Sequence, residues 1–354
     1  MDEEKNIEES ANTFIKSFFD ATYNDNKVLF NNMQNIYALI SFLYYNMQEL
    51  NIEKQDIQNG TRKDYVEKSK IIDNFYKSIN VDFKMEYITR NGVLNILSTN
   101  TPKEATHSQI YTGSNNYVIT EEAYTNPKTK ERIVLYRKLD KTINVHNNNL
   151  LNDSIIWVHE ISHYKNQPPE KRGEVNDILT ELIAYTEELI YTDYLSQIGY
   201  EEEARMFMIE EYKSLYHLIG LAYHVIKITL LYYLLGEVSK ENYLLLYKNN
   251  KDYNKALEIF DKEKNKNQNV IFLSLYYSVG IISFYNYIEY KKDQNFLEKI
   301  KKLNKEIITD ISLEEALKII NISLNEESLN RILENINIFR DSLLKENKKK
   351  KILN

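Results

Sequence analysis

Cysteine is absent from the 354 residues, and glycine (8 residues) and proline (4 residues) are scarce. The absence of cysteine excludes disulfides, thiolate nucleophiles and zinc sites built on cysteine. The shortage of glycine and proline leaves few turn-forming residues, which indicates long helices. The formal net charge is −7, whereas nucleic-acid binding draws on a concentrated basic surface. We therefore expect no nucleic-acid partner.

Charge is also missing from one long run, Val270 to Ile288, which is close to the length of a membrane span. Four tyrosines and three serines interrupt the run, and hydroxyls at that density suit a buried helix beside a polar cavity better than lipid. We therefore predict no membrane partner. The first residues, Met1 to Lys5, are acidic and lack the apolar stretch of a signal peptide, which favours a cytoplasmic protein.

The chain reads as helical, then mixed, then helical again. Apolar residues recur at three- and four-residue spacing from residue 4 or so to residue 80. Between residues 84 and 146 short alternating runs appear, and Tyr117–Thr120 and Arg132–Tyr136 read as strands. The sequence predicts a mainly α fold with a small β-sheet. Two divisions of the chain are compatible with this pattern. The first has an N-terminal helical region 1–80 and a larger region 81–354, expected to be the catalytic domain. The second is one compact two-lobed unit over 1–354.

The side chains that carry chemistry lie on the predicted helix Ile155–Tyr164. His159 and His163 are four residues apart, so their imidazoles project from the same face about one turn apart. That spacing suits two nitrogens that bind one zinc ion. Glu160 follows the first histidine and can act as general base on a water molecule, which is the arrangement of the zinc peptidases.

The sequence also marks the ends of this helix. Asp153 or Ser154 is expected to cap its start, and Pro168 and Pro169 are expected to end it. The alternative interpretation is a helix with two surface histidines. A structural zinc site is a further alternative, but such sites usually have four protein ligands rich in cysteine.

A catalytic zinc ion needs a third protein ligand and one open position. The remaining histidines do not lie at the short spacing that would place a third imidazole just after His163; they are His107, His146, His217 and His224. The next predicted helix offers Glu181, eighteen residues after His163, and we predict it as the third ligand. Its competitors are Glu174, Asp177, Glu187 and Glu188. Glu188, two turns beyond Glu181, is the candidate for orienting a histidine.

Together these residues predict one zinc ion per chain and a zinc-dependent metalloendopeptidase acting on peptide substrates. Glu160 would take the proton of the attacking water and deliver it to the leaving amine. The oxyanion needs further donors, and a phenol is suitable. Tyr276 and Tyr277 are candidates, although composition alone favours core aromatics in a chain with 29 tyrosines.

The two motif helices resemble one family. His-Glu-x-x-His, followed by a helix with glutamates at 181 and 188 and the small Ala184 between them, is similar to the oligopeptidase F and thimet oligopeptidase family of zinc metallopeptidases. Weaker similarity extends over residues 75 to 345, including the segment Tyr276–Gly280. The resemblance implies a zincin-like catalytic domain, with helical lobes around a deep active-site channel, and cleavage of short peptides. It implies His159, His163 and Glu181 as zinc ligands, Glu160 as base and Tyr277 as the transition-state tyrosine.

The sequence departs from that family at three places. Ser162 stands where the family usually has glycine, which bears on packing around the zinc helix. The family carries a histidine about ten residues before its tyrosine segment, and residues 264–269 contain none, so His217 or His224 would have to replace it. The chain is also shorter at its N-terminal side, which could leave the channel more open.

Two other functions remain open at this point. The first is a narrowly specific protease of the toxin or effector type with a single protein target, which an open cleft would suit. The second is a non-catalytic helical binding protein that keeps a zincin shell. The intact Glu160 argues against the second, because a structural zinc ion needs no base beside it.

Overall fold

The protein is mainly helical in the computed structural model, as the sequence predicts. The structure describes residues 27–52, 60–90, 92–97, 109–112, 118–125, 132–139, 141–166, 174–235, 239–246, 253–264, 282–306, 313–323 and 325–353. Among these residues, no helix combines the length and the apolar character that a membrane crossing needs. The first part of the uncharged run, residues 270–281, lies outside the described residues.

Twelve helices and five strands occur among the described residues. The helices, in chain order, are α1 Lys27–Asn46, α2 Tyr65–Ser78, α3 Met85–Arg90, α4 Asp153–Asn166, α5 Glu174–Gln197, α6 Glu201–Leu235, α7 Lys240–Leu246, α8 Tyr253–Lys264, α9 282–292, α10 Phe296–Glu306, α11 Leu313–Ile319 and α12 Glu326–Leu353. The strands are β1 Leu94–Leu97, β2 Gln109–Thr112, β3 Val118–Thr125, β4 Arg132–Leu139 and β5 Lys141–His146. The expected strands at 117–120 and 132–136 correspond to β3 and β4.

The chain divides into two compact units that do not follow the expected boundary at 80/81. Unit 1 comprises residues 1–52, 209–303 and 311–354, and unit 2 comprises residues 53–208 and 304–310. Position 80/81 therefore falls inside unit 2, and helix α2 belongs to the same unit as His159 and His163. Periodicity predicts that a segment is helical, but it does not say which helices pack together.

Unit 2 contains the strands and the two helices of the predicted metal site. Strand β5 lies between β1, to which it is parallel, and β2, to which it is antiparallel, while β3 and β4 form a separate antiparallel pair. Ile143 and Val145 of β5 are fully buried. Residues 147–152 then connect β5 to α4, and backbone hydrogen bonds tie this connection to Thr61 and Lys63. These bonds hold the connection that leads into α4.

Helix α5 ends at a glycine that the backbone requires. Gly199 has a φ of +99°, a region that residues with a Cβ rarely adopt. Its N–H bonds the Ser196 carbonyl and the next N–H, of Tyr200, bonds the Leu195 carbonyl, which is the Schellman end of a helix. Helix α6 begins at Glu201, directly after this end.

The helices are the only regular secondary structure in the part of unit 1 that the structure describes, and short turns and loops connect some of them. Its core combines aliphatic side chains with a buried polar cluster on α6, where His224 bonds the phenols of Tyr44 and Tyr243. Lys227 donates to Tyr223 in the same cluster. Tyrosine is therefore used here as a buried hydrogen-bonding residue rather than only as an apolar ring.

Candidate metal centre

The start of helix α4 is fixed by Asp153, but not as the expected cap. Its carboxylate accepts hydrogen bonds from the backbone N–H groups of Asn148 and Leu150, at 2.9 and 3.1 Å. It also accepts one from the fully buried Lys68 ammonium of α2, at 2.7 Å. The side chain thus turns back toward the loop before the helix, because the loop and Lys68 supply the donors.

Ser154 does not cap the helix either. Its hydroxyl donates to the Leu151 carbonyl at 2.6 Å and accepts from the Tyr191 hydroxyl of α5 at 2.8 Å. The residue is fully buried. It therefore joins the start of α4 to α5, the helix that carries Glu181.

The predicted ligands His159, His163 and Glu181 lie together between α4 and α5. The two Nε2 atoms of the histidines are 3.1 Å apart. Glu181 places Oε1 3.0 Å from His163 Nε2 and Oε2 3.5 Å from His159 Nε2. One ligand atom from each of the three residues lies within 4.8 Å of the others. Both imidazoles are largely buried, so the interpretation as two surface histidines does not apply.

The other acidic candidates on α5 have different positions. Glu188 Oε2 is 2.7 Å from His159 Nδ1, the contact expected of a residue that orients a histidine. Glu187 contacts Lys165 instead. Glu174 and Asp177 lie on the backbone of α5, but their side chains are outside the part of the chain whose side chains the structure describes.

The geometry of the donor atoms fits a zinc ion. Two ligands at 2.0–2.1 Å from a tetrahedral ion are about 3.3 Å apart, and the separations of 3.0, 3.1 and 3.5 Å lie around that value. Glu181 Oε2 is buried and accepts no hydrogen bond, a costly state for a carboxylate oxygen unless a cation occupies the space before it. Two imidazoles and a carboxylate without cysteine are the donor set of catalytic zinc sites.

The charges around His159 also favour a cation. Burial lowers the pKa of the His159 imidazole, but the carboxylates of Glu181 and Glu188 outweigh burial and raise that pKa well above 6.5. Burial likewise raises the pKa of Glu181, and the two histidines outweigh it and lower that pKa far below 4.5. Both shifts favour positive charge beside the two carboxylates, and a metal ion supplies such charge.

Glu160 is buried beside these residues, with 7% of its surface exposed. Burial raises the pKa of its carboxyl above 4.5, the charges of His159 and His163 lower it, and those of Glu181 and Glu188 raise it again. The net shift is upward. A carboxylate with a raised pKa is a stronger base near neutral pH than an exposed glutamate.

Small residues allow α4 and α5 to approach each other in spite of the serine at 162. Ser162 and Ala184 are both fully buried, and the Ser162 hydroxyl accepts a hydrogen bond from Asn166 at 3.0 Å. The Tyr185 ring packs edge-on against His159, with 4.8 Å between ring centroids. The departure from glycine at 162 is therefore accommodated within α4 itself.

The residues predicted for the opposite wall of the site belong to unit 1 or lie outside the described residues. Tyr276 and Tyr277 lie outside the described residues. His217 is an exposed residue of unit 1, and His224 is buried in unit 1, where it bonds the phenols of Tyr44 and Tyr243.

Reasoning from the sequence missed two lysines, one on α2 and one on α4. Lys68 bonds Asp153 across 85 residues of chain, and Lys165 bonds Glu187 across 22 residues. Neither lies in a recognisable motif. Helical phase gives no signal for Lys165, because residues two apart on a helix, such as His163 and Lys165, point to different sides.

Replacing Glu188 by alanine is expected to weaken zinc binding by about 10–100-fold, because partners that orient a metal-binding histidine have effects of that size. Competition with a chromophoric chelator measures the change. Asp193→Ala is the matched control, since Asp193 lies on the same helix and bonds Gln197 rather than a histidine. Equal zinc affinities for the two variants would show that the 2.7 Å contact with His159 does not serve the metal.

Comparison with known proteins adds no relative: no protein-family model, curated protein or solved structure matches the chain.

Proposed function

We propose that this protein is a zinc-dependent metallopeptidase whose zinc ion is held by His159, His163 and Glu181. The observation that carries the proposal is the convergence of three metal-binding side chains from two helices, with separations of 3.0–3.5 Å, beside the buried Glu160. A zincin-like arrangement of the type found in the oligopeptidase F family is part of the same proposal, and it rests on the two motif helices.

The chain's own residues have distinct roles in the proposed reaction. A bound zinc ion would polarise the scissile carbonyl and lower the pKa of a water molecule. Glu160 would accept the proton of the attacking water and pass it to the leaving amine as the peptide bond breaks. Glu188 would hold the Nδ1 hydrogen of His159, which leaves the Nε2 lone pair directed toward the other two ligands.

The experiment is metal analysis combined with cleavage of a broad peptide library. The purified chain, supplied with zinc and freed of excess metal, is expected to retain about one zinc ion, as a single three-ligand site requires. Mass spectrometry of the library is expected to show internal cuts that cease on addition of a chelator and return with zinc. Stoichiometric zinc with no cut in any peptide would contradict the peptidase and favour a zinc-binding protein without that activity.

A protease with a single protein target would give a different result. The library would then show few or no cuts, whereas one protein in a cell extract would be cleaved in a zinc-dependent way. Cleavage of many short peptides favours the general peptidase, which is the form proposed here.

A further inference from the structure

A buried charged contact outside the predicted ligand set joins three helices of unit 2. The Lys165 ammonium of α4 lies 3.1 and 3.0 Å from the two carboxylate oxygens of Glu187 on α5. The Tyr76 hydroxyl of α2 donates to Glu187 Oε2 at 3.3 Å, and the Tyr76 ring centroid lies 4.2 Å from the same ammonium. Glu187 is 5% exposed, so the contact lies almost out of water.

This contact is adjacent in sequence to both halves of the metal centre. Lys165 follows His163 by two residues on α4, and Glu187 precedes Glu188 on α5. Successive residues of a helix point about 100° apart, so one stretch of α5 sends Glu188 to His159 and Glu187 to Lys165. Rotation or sliding of α5 that broke one of these contacts would also break the other.

We propose that Glu187 is a positioning residue of the metal centre. Held by Lys165 and Tyr76, it fixes α5 against α4 and thereby sets the distance between the histidines and Glu181. The inference rests on the proposed metal site, and it adds a requirement that the ligand set alone does not have. Metal and catalytic groups must be held to within about 0.5 Å of the productive geometry, and a buried ion pair between the two ligand-bearing helices supplies that restraint.

The test compares Glu187→Gln and the double variant Lys165→Gln/Glu187→Gln, in which no charge is left unpaired. Three quantities are measured: zinc affinity by chelator competition, the visible absorption spectrum of bound Co²⁺, and the melting temperature of the metal-free protein. Both variants are expected to bind zinc about 10–100-fold more weakly, as for other residues that orient metal ligands. They are also expected to show a Co²⁺ spectrum of altered band position and lower intensity.

The matched control is Lys63→Gln, which removes a lysine from the exposed Lys63–Glu67 pair of the same unit. It is expected to leave all three quantities unchanged. If both Glu187 variants melt at lower temperature but keep the wild-type zinc affinity and Co²⁺ spectrum, the contact stabilises the fold only and the positioning role is overturned. If the wild-type protein binds neither zinc nor Co²⁺, the metal site itself fails, and this inference fails with it.

Discussion

Replacing Glu160 by glutamine is expected to slow peptide cleavage by about 10²–10⁴-fold, the usual contribution of a general acid–base group, while the zinc content stays near that of the wild type. Glutamine has almost the same shape as glutamate but cannot accept a proton. Because burial raises the pKa of the Glu160 carboxyl, its charged form is disfavoured in the fold, and the neutral amide should not destabilise it. Single-turnover cleavage of a fluorogenic peptide, with metal analysis of the same sample, measures both effects.

The control for that substitution is Glu86→Gln, at a glutamate of the same unit with 49% of its side chain exposed and paired with Arg90. It is expected to change neither activity nor zinc content. If the Glu160 variant keeps its zinc and cleaves at the wild-type rate, another group takes the proton and the proposed assignment of the base is wrong.

The second large effect is expected on stability, from replacing Lys68 by methionine. The Lys68 side chain is fully buried, its ammonium bonds Asp153 and the Leu150 carbonyl, and it lies 4.4 Å from the Trp157 ring centroid. Burial lowers the pKa of Lys68 although Asp153 opposes the shift. The charged pair is therefore not a large net source of stability. Removing one partner lowers the free energy of unfolding mainly because the other charge then stays buried without a partner.

Lys68→Met is accordingly expected to lower the free energy of unfolding by about 3 kcal/mol. That is the lower end of the usual range, because Asp153 keeps the two backbone donors of Asn148 and Leu150. Urea unfolding of the metal-free protein, followed by circular dichroism, measures the loss. Lys63→Met, in the exposed pair with Glu67, should leave the free energy of unfolding nearly unchanged.

Adding Asp153→Asn tests whether the two buried charges act as a pair. The double variant Lys68→Met/Asp153→Asn is expected to lose less stability than the sum of the two single variants, because it leaves no unpaired charge. Strict additivity would show that Lys68 acts through its other contacts.

The candidate site was largely predictable, because its residues follow helical spacing. His159, Glu160 and His163 lie within one helix, and the four-residue spacing of the histidines fixes their common face. Glu181 and Glu188 lie two turns apart on the next helix, so a single close approach of α4 and α5 brings both to the histidines. Local periodicity carries most of this information, and the only tertiary contact that had to be foreseen was the packing of α4 against α5, which follow each other in the sequence.

What could not be predicted depends on contacts between distant segments. Asp153 was expected to cap α4, but Lys68, 85 residues away, supplies a donor that turns its carboxylate back. The sequence does not distinguish Glu187 from Glu188, because both are glutamates on the same helix. The rotation of α5 about its axis decides that Glu187 contacts Lys165 and Glu188 contacts His159. The boundary at 80/81 was placed by a change in composition, whereas the units divide where the packing of helices changes.

The division of the chain also bears on the order in which its parts can form during synthesis. Apart from residues 304–310, unit 2 is one continuous stretch, 53–208, and it contains every proposed ligand. Unit 1 draws on segments on both sides of that stretch, so residues 1–52 have no complete partner when they leave the ribosome. At about 5–20 residues per second, residues 209–354 need roughly 7–30 s more to be translated. During that time unit 2 can fold on the nascent chain, with the proposed metal ligands in place, before unit 1 is complete.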